Sequence, residues 1–172
     1  RNKDGETPLH KATKKGHVEV IKLLINAEAN LNAFDDDKAT PLYYAINEDK
    51  KEIIKLMIEN GADLNANTND HVPIWIFALF RTSSKTQSLN EEMFKLLIEN
   101  GADVSAKKSD DGLTPLHSSR IKEIAELLIE NGADVSAKSD DGLTPLHSSR
   151  NKEIAELLIA KGADVSAKSN DG

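Results

Sequence analysis

The chain has 172 residues, enough for one ordinary domain, and 38% of them are hydrophobic, so a core can form unaided. It has no cysteine, which excludes disulfides, thiolate metal sites and a cysteine nucleophile and fits a reducing compartment. Its net charge is −7, with 12 basic and 13 acidic side chains in residues 1–86 against 10 and 16 in residues 87–172, so the basic footprint that DNA or RNA binding needs is missing.

No apolar run approaches the roughly 20 residues of a membrane span. No signal peptide is visible, and an intracellular, cytoplasmic setting is expected. The chain opens at a repeat edge, and Asn170-Asp171-Gly172 reads as the start of a further repeat, so a longer parent protein is expected.

The first predicted unit, about residues 2–34, is the fullest. Asp4-Gly5 is a tight-turn signal. Thr7 is placed to cap a helix, and Pro8 suits the first helical position because its missing N–H is not needed there. Leu9 and Ala12 share a face, and Gly16 is placed to end the helix. A second helix is predicted from Val18 to about Asn26, with Val20, Ile21, Leu23 and Leu24 as its apolar stripe. Neither helix is long enough to be stable alone.

The pattern then returns. Thr7-Pro8-Leu9-His10 is followed by Thr40-Pro41-Leu42-Tyr43, Val72-Pro73-Ile74-Trp75, Thr114-Pro115-Leu116-His117 and Thr144-Pro145-Leu146-His147, at spacings of 33, 32, 42 and 30 residues. Such a period means stacked supersecondary units. The units run approximately 2–34, 35–66, 67–108, 109–138 and 139–168, all within one expected repeat domain. The last four second helices end in Gly-Ala-Asp, at Gly61, Gly101, Gly132 and Gly162, where glycine permits a left-handed stop. Glu28 holds the glycine slot of repeat 1, so that turn is either strained or built differently.

Repeat 3 is long. It gains about eight residues near 82–90, a polar, loop-like stretch, just after Ile74-Trp75-Ile76-Phe77-Ala78-Leu79-Phe80. Ile76, Leu79 and Phe80 align with Lys11, Lys14 and Lys15 of repeat 1. They are either an exposed apolar anchor for a partner or are covered by the insertion. Repeats 4 and 5 match at 27 of 30 positions and lack three residues at the end of the first helix. That helix should lose nearly a turn in each. Repeat 5 should expose Ala155 and Leu158 if nothing follows it, and should fray first.

Five units carrying a glycine turn, Thr-Pro-Leu-His, two helices and Gly-Ala-Asp resemble the ankyrin repeat family over essentially the whole chain. The resemblance implies an all-α solenoid of helix-turn-helix repeats joined by β-hairpin-like loops. It implies that tips and first helices line a concave face and second helices form the back. It also implies protein recognition without catalysis, and that His10, His117 and His147 are structural imidazoles bonded to the threonine of their own motif and to nearby backbone.

The histidine separations of 107 and 30 residues match no local metal-ligand spacing, and the aspartate runs Asp35-Asp36-Asp37, Asp110-Asp111 and Asp140-Asp141 lack the ligand set of a calcium loop. The runs read as solvated tips. No cofactor or metal is expected. The predicted partner-binding residues are Lys11, Lys14, Lys15, Asp36, Asp37, Tyr44, Asn47, Ile76, Leu79 and Phe80, with Tyr44 pointing into the groove beside Ile76. A basic, then apolar, then acidic surface would suit a peptide with an acidic head and a basic tail. The expected partner is another protein or peptide bound by a monomer. The alternative is a structural spacer or substrate-recruiting arm of a larger protein.

Overall fold

A computed structural model describes residues 1–67, 73–76, 87–108 and 110–171, with backbone only for 87–90. The chain divides into two compact units, Arg1–Ala78 with Asn100–Ala102, and Leu79–Glu99 with Asp103–Gly172.

The first unit holds α1 (Pro8–Lys15), α2 (Val18–Asn26), α3 (Pro41–Asn47), α4 (Lys51–Glu59) and a single 3-10 turn at Ile74–Ile76. Thr7 is extended, and its hydroxyl accepts the N–H of His10 at the start of α1; Thr40 accepts that of Tyr43 in the same way. Gly16 ends α1 in the left-handed conformation, with φ 74°. The helix is also held from the next repeat. The Lys50 ammonium donates to the carbonyls of Thr13 and Lys14 at 2.8 and 2.6 Å, a cation placed on the negative end of α1. Leu9, Ala12, Ile21, Leu42, Ala45, Ile46, Ile54 and Met57 form the core where α1, α2, α3 and α4 meet.

The stripe predicted for α2 is only partly buried. Ile21 is inaccessible, but Val20 and Leu23 are 45% and 67% exposed, whereas Ile53, the counterpart of Val20 in repeat 2, is 3% exposed. Helix α4 has α2 packed against it, and among the described residues nothing covers α2 in the same way.

Glu28 settles the question left open by its position. It takes up the left-handed turn of the missing glycine, with φ 57°. A side chain held there costs about 1–2 kcal/mol, partly offset by the greater chain entropy glycine loses on folding. Glu28→Gly is therefore expected to raise stability by roughly 0.5–1 kcal/mol, read as a higher urea midpoint at unchanged slope. A lowered midpoint would mean that the turn is not strained.

In repeat 3 the described residues hold a 3-10 turn at Ile74–Ile76, preceded by an isolated antiparallel bridge between Asn67 and Pro73; the rest of its first helix lies outside the described residues. Val72 stands where Thr7 and Thr40 stand, so the hydroxyl cap is missing. Ile74, Trp75 and Ile76 are all buried, and the turn packs on α3. The Trp75 indole N–H has no hydrogen-bond partner among the described residues.

The second unit holds α5 (Gln87–Glu99), α6 (Pro115–Ser118), α7 (Lys122–Glu130), α8 (Pro145–Ser148) and α9 (Lys152–Ala160). Helix α5 is 13 residues long and begins inside the stretch expected to be loop, so the end of the insertion extends the second helix backwards. Helices α6 and α8 have four residues each, against eight in α1, which is the lost turn expected from the three-residue gap. Ser119 and Ser149 turn the chain extended, and their hydroxyls donate to the carbonyls of Ile121 and Asn151 at 3.2 and 3.1 Å. Phe94, Leu97, Leu116, Ile124, Ala125, Leu128, Ile154 and Leu158 are among the most deeply buried residues of this unit.

Leu158 thus departs from expectation. It is fully buried and Ala155 is half-buried, whereas Ile159 and Val165 are 49% and 69% exposed. The phase of α9 turns Leu158 inward, toward the short helix α8 that α9 packs on.

Repeat tips are joined edge to edge. The Asp140 N–H donates to the Asp111 carbonyl at 3.0 Å and lays its carboxylate over Gly112, whose φ is 67° and where any Cβ would collide. Asp36, Asp4 and Gly5 repeat the arrangement in the first unit. Apart from the Asn67–Pro73 bridge there is no strand among the described residues. The architecture is an all-α helical repeat solenoid.

Candidate functional site

The histidines of the repeated motif are structural. The Thr7 N–H donates to His10 Nδ1 at 3.1 Å, and the Thr7 hydroxyl lies 2.8 Å from the same nitrogen. A backbone amide can only donate, so Nδ1 is the acceptor and the proton sits on Nε2. From there it is donated to the Ala39 carbonyl at 3.0 Å, in the next repeat. His117 copies this with Thr114 and the Leu143 carbonyl at 2.9 Å. His147 keeps the Thr144 bonds and is exposed. Each fully built imidazole therefore ties its own repeat to the following one. Burial pushes the pKa of His10 and of His117 down, so both are neutral.

Outside this network, α1 and α3 bring together a polar cluster. Glu6 is 7% exposed and forms ion pairs with Lys14 and with Lys11, the latter at 3.1 Å. It also accepts from the Asn2 amide at 2.8 Å. The Lys14 ammonium sits 3.7 Å from the centroid of the Tyr44 ring, and the Tyr44 hydroxyl donates to Asp35 at 2.6 Å. Tyr44 also meets the rings of His10 and Tyr43 edge-on, at 6.1 and 5.3 Å. The ion pairs with Lys14 and then Lys11 pull the Glu6 carboxyl down to about 2, while burial and the bond to Asp35 push the Tyr44 phenol up to about 12.

These values fix an acid response. Glu6 has a folded pKa below its ordinary 4.5, so the folded state binds fewer protons than the unfolded state. Its contribution is complete above that value and is lost as the pH falls from 4.5 through about 2. His10, buried neutral, has the same sign and begins to act below its ordinary 6.5. The urea midpoint is expected to fall below pH 6.5 and again below pH 4.5, and Glu6→Gln should remove the lower step. A midpoint of Glu6→Gln that falls below pH 4.5 as steeply as the wild type would contradict this.

Of the ten residues expected at a partner surface, Lys11, Lys15, Asp36 and Asp37 are exposed, and Lys14, Tyr44 and Asn47 are half-buried. Tyr44 contacts Lys14 and His10 of repeat 1, and Asp35 of its own repeat. Ile76 is 3% exposed, so it offers no exposed contact surface, and the insertion expected to cover it lies largely outside the described residues. Leu79 and Phe80 lie outside the described residues. Asp35 corrects the reading of its run as a solvated tip. It is 6% exposed, and one carboxylate oxygen accepts the N–H groups of Asp37 and Ala39 while the other takes the Tyr44 hydroxyl.

Two residues the motif reading passed over are Arg120 and Arg150. They follow the short helices α6 and α8 and line a recess of about 680 Å³ together with Ser118, Ser148, His117 and His147. The recess lies beside the four-residue helices α6 and α8. Both guanidiniums are exposed, and neither has an ion pair or hydrogen bond among the described residues.

A fold of paired short helices, tied together by motif histidines and by tips that hydrogen-bond to one another, defines a helical repeat protein. A family profile described as ankyrin repeats (3 copies) matches residues 1–68 and 83–169. The chain belongs to the ankyrin repeat family. No curated protein matches it. Ankyrin repeats are generally protein–protein interaction modules and are typically non-catalytic. No helix among the described residues is long and apolar enough to cross a membrane.

Proposed function

We propose that this chain is a non-catalytic recognition module that binds another protein or peptide over the concave face made by its first helices and tips, as a monomer in an intracellular setting. The observation that carries the reading is the locked surface of α1 and α3. Lys14, Tyr44, Asp35 and Glu6 come from two successive repeats and hold one another in place, beside exposed Lys11, Lys15, Asp36 and Asp37. A preorganised surface loses little entropy when a partner docks, and aromatic and cationic side chains carry interface energy well. The net charge of −7 argues against a nucleic-acid partner.

The test is capture from a lysate of the source cells by the wild type, by K11E/K15E on the first helix, and by K22E/K55E on the second helices. Loss of a specific partner in the first variant alone supports the reading. Loss only in the second variant overturns it.

A second reading, a spacer or recruiting arm of a larger protein, has one observation in its favour. Repeats 4 and 5 match at 27 of 30 positions, and copied units make a uniform surface. Capture of no partner by any of the three proteins would favour it.

A further inference from the structure

The acidic second half of the chain contains a surface that runs against its own charge. Residues 87–172 carry 10 basic and 16 acidic side chains, yet the recess beside α6 and α8 is lined by Arg120 and Arg150 and by no carboxylate. The lysines of α7 and α9, by contrast, are paired, Lys122 with Glu126 and Lys152 with Glu156 at 3.1 and 3.6 Å. The two arginines stand apart from this pairing. Arg120 has no partner although a whole repeat follows it.

The remaining polar groups of the recess fit the same pattern. Ser118 and Ser148 have no hydrogen bonds through their hydroxyls, and like the guanidiniums they can donate. His117 is spent on Thr114 and Leu143, so it offers no free acceptor. The lining is thus rich in unengaged donors and poor in acceptors. It also has a translational repeat, since Ser118 and Arg120 recur as Ser148 and Arg150, each pair at the same offset from a four-residue helix.

We propose that this recess binds an extended acidic peptide segment of a partner protein, with one carboxylate on Arg120 and a second on Arg150. The inference rests on the protein-recognition reading above and specifies a partner chemistry for this surface. Guanidinium is the side chain whose fork matches a carboxylate in two parallel hydrogen bonds. The spacing follows from the packing of α6 on α8. Packed helices lie about 8–10 Å apart, so the equivalent arginines are separated by a similar distance. A polyproline II chain advances about 3.1 Å per residue with three residues per turn. Residues i and i+3 then present side chains on one face roughly 9 Å apart. The matching motif is Glu-x-x-Glu. The serine hydroxyls beside each arginine supply a further donor to each carboxylate. The recess is lined by residues of and after the four-residue helices α6 and α8, so this site belongs to repeats 4 and 5.

The experiment uses the 172-residue chain and labelled peptides read by fluorescence anisotropy. The probe is a peptide centred on Glu-Pro-Pro-Glu, with Gln-Pro-Pro-Gln as the uncharged control and a uridine oligonucleotide as the nucleic-acid control. The glutamate peptide is expected to bind at least tenfold tighter than the glutamine peptide. R120Q/R150Q should abolish that preference with circular dichroism unchanged, and R120K/R150K, which keeps charge but loses the fork, should retain part of it. Should the glutamine variant fail to fold, the lysine variant decides, and full retention of the preference in it overturns the proposal. Equal binding of the two peptides, an unchanged preference in R120Q/R150Q, or tighter binding of the oligonucleotide at the same arginines also overturns it. A lysate partner held by R120Q/R150Q as strongly as by the wild type overturns this inference alone. An empty capture by the wild type overturns the broader reading as well.

Discussion

Ile76→Ser is expected to lower the stability of the first unit by about 3–5 kcal/mol, combining the lost burial of an isoleucine with the cost of a buried hydroxyl. Ile76 is 3% exposed, in a turn with Ile74 and Trp75, both of which are inaccessible. The turn packs on α3, so the damage should spread to repeat 2. Thermal unfolding followed by circular dichroism checks this. A partner lost from this variant would be lost through unfolding. An unchanged melting curve would place Ile76 on the surface and restore it as a contact residue.

His10→Ala should cost about 3 kcal/mol. The ring is fully buried, and its removal leaves a cavity, strands the Thr7 N–H without a partner and leaves the Ala39 carbonyl with the Asp35 N–H alone. His147→Ala provides the internal comparison. That ring is exposed and bonded only to Thr144 among the described residues, so about 1 kcal/mol is expected. Urea midpoints of the two variants measure the difference. Equal losses would mean that the bond across to the next repeat contributes nothing.

The repeat architecture was legible because it is written locally. Threonine, proline and histidine within four residues define a threonine–imidazole pair and a bridge to the next repeat; the structure builds the pair at repeats 1, 4 and 5 and the bridge at repeats 1 and 4. The shortened α6 and α8 followed from a three-residue gap, and the strain at Glu28 from an empty glycine slot. What stayed hidden depends on register between repeats. Nothing near Glu6 announces that Lys14 will bridge it to Tyr44, because Lys14 and Tyr44 are 30 residues apart in sequence.

Asp35 was hidden for a different reason, since a run of three aspartates reads as solvent-facing. A signal was present all the same. Asn2 and Asp35 both stand five residues before the motif threonine, and both accept backbone N–H groups two and four residues ahead. Ser139 holds the equivalent place before Thr144, and its hydroxyl accepts the N–H of Leu143. Comparing that slot across repeats would have assigned Asp35 to the turn. In repeat 3 only the turn Ile74–Ile76 is described, and the remainder of the helix expected after Pro73 lies outside the described residues.

The central claim is that recognition runs over the first helices. Hydrogen exchange read by mass spectrometry, with and without a partner captured from lysate, tests it most directly. The account predicts new protection in the tips and in the segments of α1, α3, α6 and α8, with α2, α4, α7 and α9 unchanged. Protection confined to those second helices would contradict it.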